Sequence, residues 1–248
     1  MGNFFEQFEI NTFLSLIIRN WIDLSINTSV LYLLITLVLI VFIRILSINN
    51  KIIGEKWEYL LNLIYMNFIN FLSSTIGSGK EKIKYFPFLI SLFTFVLINN
   101  LIALIPYSFS TTAQMIICVT LSLSIMVGTT IIGIEKHGFK FINLFVPDLK
   151  GGVRVLIPFI FLIEIISYLS RVVSLSIRLC GNLIGGHMIL KIISTFGFLL
   201  VTKIKVLFFI PILVLLVLFV LESFVAFVQS FVITLLSMLY IKDSLNLH

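Results

Sequence analysis

Long apolar runs separated by short polar segments dominate the chain and predict membrane-spanning helices. Residues 30–46 are long enough for one span, since a helix rises about 1.5 Å per residue and a hydrocarbon core is about 30 Å thick. Residues 88–134 hold two apolar runs around a short Ser/Thr-rich turn, which predicts an antiparallel helical hairpin. Residues 57–76 mix Glu and Asn with large apolar side chains, so we expect an amphipathic helix on the membrane surface.

The last two apolar runs, 153–201 and 206–241, are longer than one perpendicular crossing needs. As a helix the final run would measure roughly 54 Å, too short for two spans with a turn and too long for one upright span. We therefore expect a long, strongly tilted antiparallel hairpin over 153–241. The predicted fold class is an all-α membrane protein, with about five embedded helices and one surface helix in a single membrane domain, 1–248.

Composition supports a membrane protein and excludes a water-soluble enzyme. Hydrophobic residues make up 60% of the chain and charged residues 11%, whereas soluble domains carry about 25% charged residues. The net charge of +6 does not indicate nucleic acid as a partner, because the basic residues lie between apolar runs and form no patch. Both cysteines lie inside apolar runs, and we expect no disulfide, metal site or cofactor.

The distribution of basic residues predicts the orientation of the chain. Five crossings place the termini on opposite sides of the membrane. With the N-terminus outside, eleven Lys and Arg residues fall on the inner side and three on the outer side. This imbalance satisfies the positive-inside rule, so we expect the N-terminus outside and the C-terminus inside.

A polar stripe runs along the penultimate apolar segment. At about 100° per residue, six polar residues fall within about 40° of the direction of Arg178. They are Glu164, Ser167, Arg171, Ser174, Arg178 and Asn182. A charge at mid-membrane costs on the order of 2.5 to 3.5 kcal/mol, so such a stripe indicates a polar path through the apolar layer. Arg171 has a second interpretation, in which it neutralises Glu164 on the same face.

His187 points about 180° away from Arg178 on the same helix. One straight helix would therefore present its arginine and its histidine to two separate aqueous pockets. On the final helix, Glu222 and Gln229 share a face, and Glu222 is our candidate partner for His187, because a carboxylate beside a histidine suits proton transfer. Gly181 and Gly185 form a GxxxG spacing, which fits either a partner helix or packing within the chain.

Several segments resemble subunit a of rotary F-type ATP synthases. The string SLSIRLCGNLIGGH around Arg178 is similar to the segment around that family's essential arginine, and EIISYLSRVVSLSIRL is similar to its arginine helix. LINNLIALIPYSFSTTAQ and LESFVAFVQSFVITLLSMLY resemble its third-helix end and its final helix. The resemblance extends over nearly the whole chain, and it implies the long tilted hairpin.

The resemblance implies a role for each polar position. Arg178 would be the essential stator charge facing a carboxylate of the rotor ring, in a proton-translocating subunit that is not itself an enzyme. Protons would pass through two offset half-channels. The proton-access half-channel would contain His187, Glu222, Asn182, Gln229 and Asn100, and the proton-release half-channel Glu164, Ser167, Arg171 and Ser174.

The resemblance also implies partners and a location. The partners would be the c-ring, the peripheral stalk, other Fo membrane subunits and the lipid bilayer, with H⁺ as the translocated ion. YSFSTTAQ and the Phe, Ile and Asn content favour the mitochondrial inner membrane, with the N-terminus on the intermembrane-space side and the C-terminus in the matrix. A self-contained ion-coupled transporter is the alternative, although no inverted repeat relates the two halves of the sequence. A structural membrane anchor would leave the polar stripe without a purpose.

Overall fold

Helices form most of the part of the chain that the structure describes. The computed structural model describes residues 12–14, 17–18, 22–23, 26–48, 59, 63, 65–71, 80–105, 108–138, 141, 157–203 and 209–245. The helices are α1 (Thr28–Ile48), α2 (Lys80–Ala103), α3 (Met115–His137), α4 (Ile157–Lys203) and α5 (Phe209–Leu245). Stretches within α2, α3, α4 and α5 are long and apolar enough to cross a membrane, and α1 is apolar over Thr28–Phe42.

The predicted all-α membrane fold is confirmed, with one addition. Four strands of two or three residues precede α1: β1 (Thr12–Leu14), β2 (Ile17–Ile18), β3 (Ile22–Asp23) and β4 (Ile26–Asn27). They pair antiparallel, β1 with β4 and β2 with β3. Residues 65–71 are helical, and the rest of the predicted surface helix lies largely outside the described residues.

Two helix boundaries differ from the sequence prediction for physical reasons. α2 starts at Lys80, eight residues before the predicted span, and continues through Pro87. The apolar run begins only after Pro87, whereas the helix includes the polar residues before it and accepts the loss of one backbone hydrogen bond at the proline. α3 ends at His137 and is followed by Gly138 with φ 57°, a left-handed C-terminal cap that glycine adopts without strain.

α3 satisfies its own polar side chains inside an apolar segment. The hydroxyl of Ser122 donates to the carbonyl oxygen of Val119 at 3.0 Å, and that of Thr129 donates to Met126 at 2.8 Å. Such bonds to the preceding turn let Ser and Thr occupy a spanning helix without leaving a polar group unpaired in hydrocarbon. The hydroxyls of α3 therefore need no external partner.

Packing divides the chain into two compact units. The first unit consists of Met1–Glu55, Ser91–Gln114 and Leu179–Phe231, and the second of Lys56–Ile90, Met115–Arg178 and Val232–His248. In the first unit, the buried side chains of Ala103, Ala113 and Leu183 form a small apolar cluster. In the second unit, the C-terminal ends of α3 and α5 are joined, since His137 Nε2 lies 3.0 Å from the carbonyl oxygen of Leu245. The single membrane domain stays a prediction.

α4 and α5 pack antiparallel, as predicted for the hairpin. In the first unit, Asn182 of α4 contacts Gln229 of α5, and Gly197 approaches Pro211. Residue numbers rise along one helix as they fall along the other, which defines an antiparallel pair. The two helices have 47 and 37 residues, or about 70 Å and about 55 Å of rise. Their tilt relative to a bilayer remains a prediction.

Candidate functional site

A pocket between α2, α4 and α5 in the first unit collects four of the predicted polar residues. It is lined by Asn100, Leu179, Asn182, Leu183, Glu222, Val225, Ala226 and Gln229. Its walls combine one carboxylate and three amides with four apolar side chains. The structure thus brings together residues that lie up to 129 positions apart in the sequence, from Asn100 to Gln229.

Glu222 is the acidic group of this pocket and is only 6% exposed. Neither of its carboxylate oxygens has a hydrogen-bond partner among the described residues. It lies against Gly186 of α4, where an added Cβ would approach Oε1 to 2.5 Å. Removing a carboxylate from water without a partner is costly. A group retained under this cost indicates a functional role.

His187 follows Gly186 on α4 and is half-buried. The structure therefore places the predicted partners close together along α4 and α5. They are not hydrogen-bonded to each other, since both Glu222 oxygens lack a partner in the part of the chain that the structure describes. The pairing of His187 with Glu222 for proton transfer stays a prediction, since helical spacing does not fix the side-chain torsions.

Asn182 and Gln229 join the two long helices beside Glu222. The Nδ2 of Asn182 donates to Gln229 Oε1 at 3.0 Å. This leaves the buried Nε2 of Gln229 with no hydrogen-bond partner among the described residues. The acceptor oxygens of Glu222 and the donor Nε2 of Gln229 thus line one pocket without a hydrogen-bond partner among the described residues, which favours hydration of that pocket.

Asn100, near the C-terminal end of α2, forms the third polar wall. Its Nδ2 donates to the carbonyl oxygen of Ala226 at 3.4 Å, and its Oδ1 accepts from the hydroxyl of Thr112 at 3.2 Å. It is 1% exposed, so both ends of its amide are satisfied away from water. Asn100 therefore connects α2 with α5 at the pocket.

Arg178, in the second unit, lies on an exposed face of α4. Its Nη2 donates to the hydroxyl of Ser174, one turn earlier, at 3.4 Å. The exposed residues around it are mixed: Ser174 lies on the same side of the helix, and Val173 and Ile177, 53% and 52% exposed, lie on the adjoining side. The guanidinium therefore lies on a surface of α4 that the described part of the chain leaves exposed.

Arg171 has a different partner from the one that sequence reasoning considered. Its Nη1 lies 3.6 Å from Asp243 Oδ2 on α5, and its guanidinium lies 5.3 Å from the ring centroid of Tyr240 and 5.8 Å from that of Tyr168. The structure thus pairs Arg171 with Asp243 and not with Glu164. Glu164 and Ser167 are half-exposed on α4. Their predicted part in proton release stays a prediction.

The glycines after Arg178 leave open space on α4. A Cβ added to Gly181 or Gly185 would meet no described atom within 4 Å. The described residues therefore do not support packing within the chain, which is one of the two explanations of the GxxxG spacing. The other explanation, a partner helix, stays a prediction.

The described residues contain no group of three His, Cys, Asp or Glu side chains placed to hold a metal ion. Cys118 and Cys180 are buried and do not form a disulfide with each other. Cys180 Sγ lies 2.9 Å from the carbonyl oxygen of Ala113, where it contacts the turn after α2. The chemistry of the site thus consists of carboxylates, amides, an imidazole and guanidinium groups.

Known proteins resemble the chain over almost its whole length. The family model described as ATP synthase A chain matches residues 29–242. The chain belongs to the ATP synthase A chain family. It is 41% identical to ATP synthase subunit a of Vanderwaltozyma polyspora over 98% of this chain and 97% of that protein. It is similar to the subunit a proteins of Emericella nidulans, with 41% identity over 98% and 96%, and Dictyostelium discoideum, with 36% identity over all of both chains.

Two sets of side-chain contacts in this ATP synthase A chain family member do not follow from the sequence pattern. Asp243 lies just after the final apolar run, 206–241, whose pattern does not indicate a partner for Arg171. Thr111 and Thr112 were treated as turn residues, although they bond the two asparagines of α2. The sequence feature that could have indicated these bonds is the occurrence of two consecutive Asn residues shortly before two consecutive Thr residues.

Proposed function

We propose that this chain is the stator subunit of the proton channel of a rotary ATP synthase. The observation that carries the proposal is the exposed position of Arg178 on α4, where its side chain donates only to the hydroxyl of Ser174 among the described residues. A charge facing lipid at mid-membrane costs on the order of 2.5 to 3.5 kcal/mol, and a neutral serine hydroxyl compensates only part of it. A carboxylate on a neighbouring rotor helix would supply the missing counter-charge.

The pocket around Glu222 is the proposed proton-access half-channel. The carboxylate of Glu222 and the NH₂ group of Gln229, both without a hydrogen-bond partner among the described residues, provide polar groups for water in a buried pocket. Histidine exchanges protons near neutral pH, and His187 follows the glycine that contacts Glu222. Protons would pass His187 and Glu222 and reach the rotor carboxylate, with Asn182, Gln229 and Asn100 as polar walls.

The polar face of α4 in the second unit is the proposed proton-release half-channel. Glu164, Ser167, Arg171 and Ser174 would line it. Because Arg171 is engaged by Asp243 and two tyrosine rings, Glu164 is not committed to neutralising that arginine. A carboxylate kept available in this way suits a proton acceptor on the release side.

Arg178 would couple the two paths to rotation. Its guanidinium attracts the ionised form of a rotor carboxylate and so favours loss of the proton as that carboxylate passes. Arginine keeps its charge at all physiological pH values, so it does not pass on its own proton and open a leak. Each proton crossing is worth about 2.3 kcal/mol per 100 mV, which a leak would dissipate. The chain itself would perform no bond chemistry.

The proposed partners and location follow from this role. The chain would contact the c-ring, the peripheral stalk and other Fo subunits in the mitochondrial inner membrane, with H⁺ as the ion. The content of Phe, Ile and Asn and the YSFSTTAQ turn support that location. The N-terminus would lie on the intermembrane-space side and the C-terminus in the matrix, as the distribution of basic residues predicts.

Replacement of Arg178 tests the proposal. We expect Arg178→Ala to abolish proton-driven ATP synthesis in energised membranes while the complex still assembles, because the rotor carboxylate loses its counter-charge. Thr120→Val is a matched control, since Thr120 is exposed on α3 and its hydroxyl donates to Ile117 of its own helix. Normal synthesis in an assembled Arg178→Ala complex would refute the role.

A further inference from the structure

A buried polar ladder connects the end of α2 with the turn that follows it in the first unit. The hydroxyl of Thr111 donates to Asn99 Oδ1 at 2.9 Å, and that of Thr112 donates to Asn100 Oδ1 at 3.2 Å. All four side chains are buried. Two threonines of one 3₁₀ turn thus hold two consecutive asparagines in the same way.

The two asparagines differ in what their other end contacts. Asn99 Nδ2 donates to the carbonyl oxygen of Phe95, within α2 itself, at 2.9 Å. Asn100 Nδ2 donates to the carbonyl oxygen of Ala226 on α5 at 3.4 Å. The bonds of Thr111 and Asn99 therefore connect the turn only with the end of α2. The bonds of Thr112 and Asn100 extend to α5, the helix that carries Glu222.

Ala226 lies one helical turn after Glu222 and about one turn before Gln229, and all three line the same pocket. The hydrogen bond from Asn100 to Ala226 therefore positions the segment of α5 that carries Glu222 and Gln229. An amide can be turned so that its NH₂ and oxygen exchange places, and a hydroxyl that donates to the oxygen opposes this. Thr112 therefore fixes the orientation in which Asn100 can donate to α5.

The turn itself is held against α4 at its last residue. Cys180 Sγ lies 2.9 Å from the carbonyl oxygen of Ala113, the residue after Thr112. Ala113 and Leu183 belong to the same buried apolar cluster. The turn therefore contacts α2 and α4 directly. It is linked to α5, the third helix that lines the pocket, through Asn100.

We propose that Thr112 is a positioning residue for the proton-access carboxylate. By fixing the Asn100 amide it holds α5 at Ala226, and so it sets the distance of Glu222 and Gln229 from α4. This proposal rests on the proposed function, since it concerns the same half-channel. Thr111, which has the same chemistry in the same turn, has no such role because its asparagine donates to Phe95 of α2 and not to α5.

The test compares Thr112→Val with Thr111→Val in complete complexes in energised membrane vesicles. Each variant removes one buried hydroxyl and keeps the side-chain shape. We expect Thr112→Val to lower proton flux per assembled complex about tenfold, since misplacing a group in a reaction path by about 1 Å can cost up to about a hundredfold. Thr111→Val should keep nearly the wild-type flux per assembled complex. Thr112→Ser, which retains the donor, should restore flux.

Three results would overturn the proposal: equal losses of flux in Thr111→Val and Thr112→Val, wild-type flux in Thr112→Val, or a Thr112→Ser variant as slow as the valine. If Thr112→Val fails to assemble, Asn100→Leu and Asn99→Leu replace the pair, and only the first should slow flux. Glu222→Gln is measured alongside. If it has wild-type flux, the proposed access path is wrong, and this outcome is distinct from failure of the Thr112 role alone.

Discussion

At the scale of single residues, the position of Glu222 depends on the small size of its neighbour on α4, Gly186. Gly186 has no side chain, and the carboxylate of Glu222 occupies the space that a Cβ would take. Helix propensity alone would favour alanine over glycine at such a position by about 1 kcal/mol. Glycine here gives up that stability and leaves room for the carboxylate beside His187.

Gly186→Ala should therefore impair proton access more than it affects folding. The added Cβ would lie 2.5 Å from Oε1 and 2.8 Å from Cδ of Glu222, both near the free end of a flexible side chain that can move aside. We expect normal assembly and a proton flux reduced about tenfold, because the carboxylate leaves its position. The measurement is the proton flux per assembled complex in energised vesicles.

Gly128→Ala on α3 is the matched control for that experiment, since an added Cβ there meets no described atom within 4 Å. It should assemble and conduct as the wild type does. If Gly186→Ala conducts protons as well as Gly128→Ala, the position of Glu222 against α4 does not matter for proton access.

At the scale of elements, α4 carries both the proposed coupling arginine and the space for a partner. Gly181 and Gly185 follow Arg178, and the described part of the chain leaves both open. Small residues at this spacing let another helix approach closely. In the proposed function that partner is a rotor helix, whose carboxylate would come close to Arg178.

Bulky substitutions at these glycines should therefore act through the partner and not through the fold. We expect Gly181→Val or Gly185→Val to give complexes that assemble but synthesise ATP at least about tenfold more slowly, because the rotor helix is held away from Arg178. Gly128→Val measures the effect of valine alone on a helix. Wild-type synthesis in both variants would show that no helix approaches α4 at these positions.

The sequence predicted the elements better than their side-chain contacts. The apolar runs placed both long helices to within a few residues. Helical spacing placed Asn182 beside Arg178 and did not predict its hydrogen bond to Gln229. Periodicity describes the face of a residue and not its partner across a turn, so the bonds from Thr112 to Asn100 and from Arg171 to Asp243 were missed. The β1–β4 pairing has two or three residues per strand, too few for a recognisable alternation.

At the scale of the whole molecule, apolar surface and basic charge together determine the environment. Large apolar side chains such as Phe209, Leu213 and Phe224 are exposed along α5, as is typical of surfaces that contact lipid or another subunit. The Lys and Arg residues concentrate in segments that an odd number of crossings would place on one side. Both observations fit a multi-pass membrane subunit.

Sidedness can be measured directly on the intact protein. We expect a tag at the N-terminus and a tag beside Lys242 to be labelled from opposite faces of the sealed inner membrane, with the Lys242 side facing the matrix, because five crossings separate them. Labelling of both tags from the same face would contradict the five-crossing topology and the positive-inside orientation.

In the proposed function, Arg178 faces an acidic rotor group. A side-chain-resolution map of the assembled complex in a membrane mimic would show this contact. We expect the Arg178 guanidinium within about 4–6 Å of a carboxylate on a helix of another subunit, the range in which opposite charges interact strongly. A guanidinium that faces lipid, or that lies beside a subunit with no acidic residue at that depth, would contradict it.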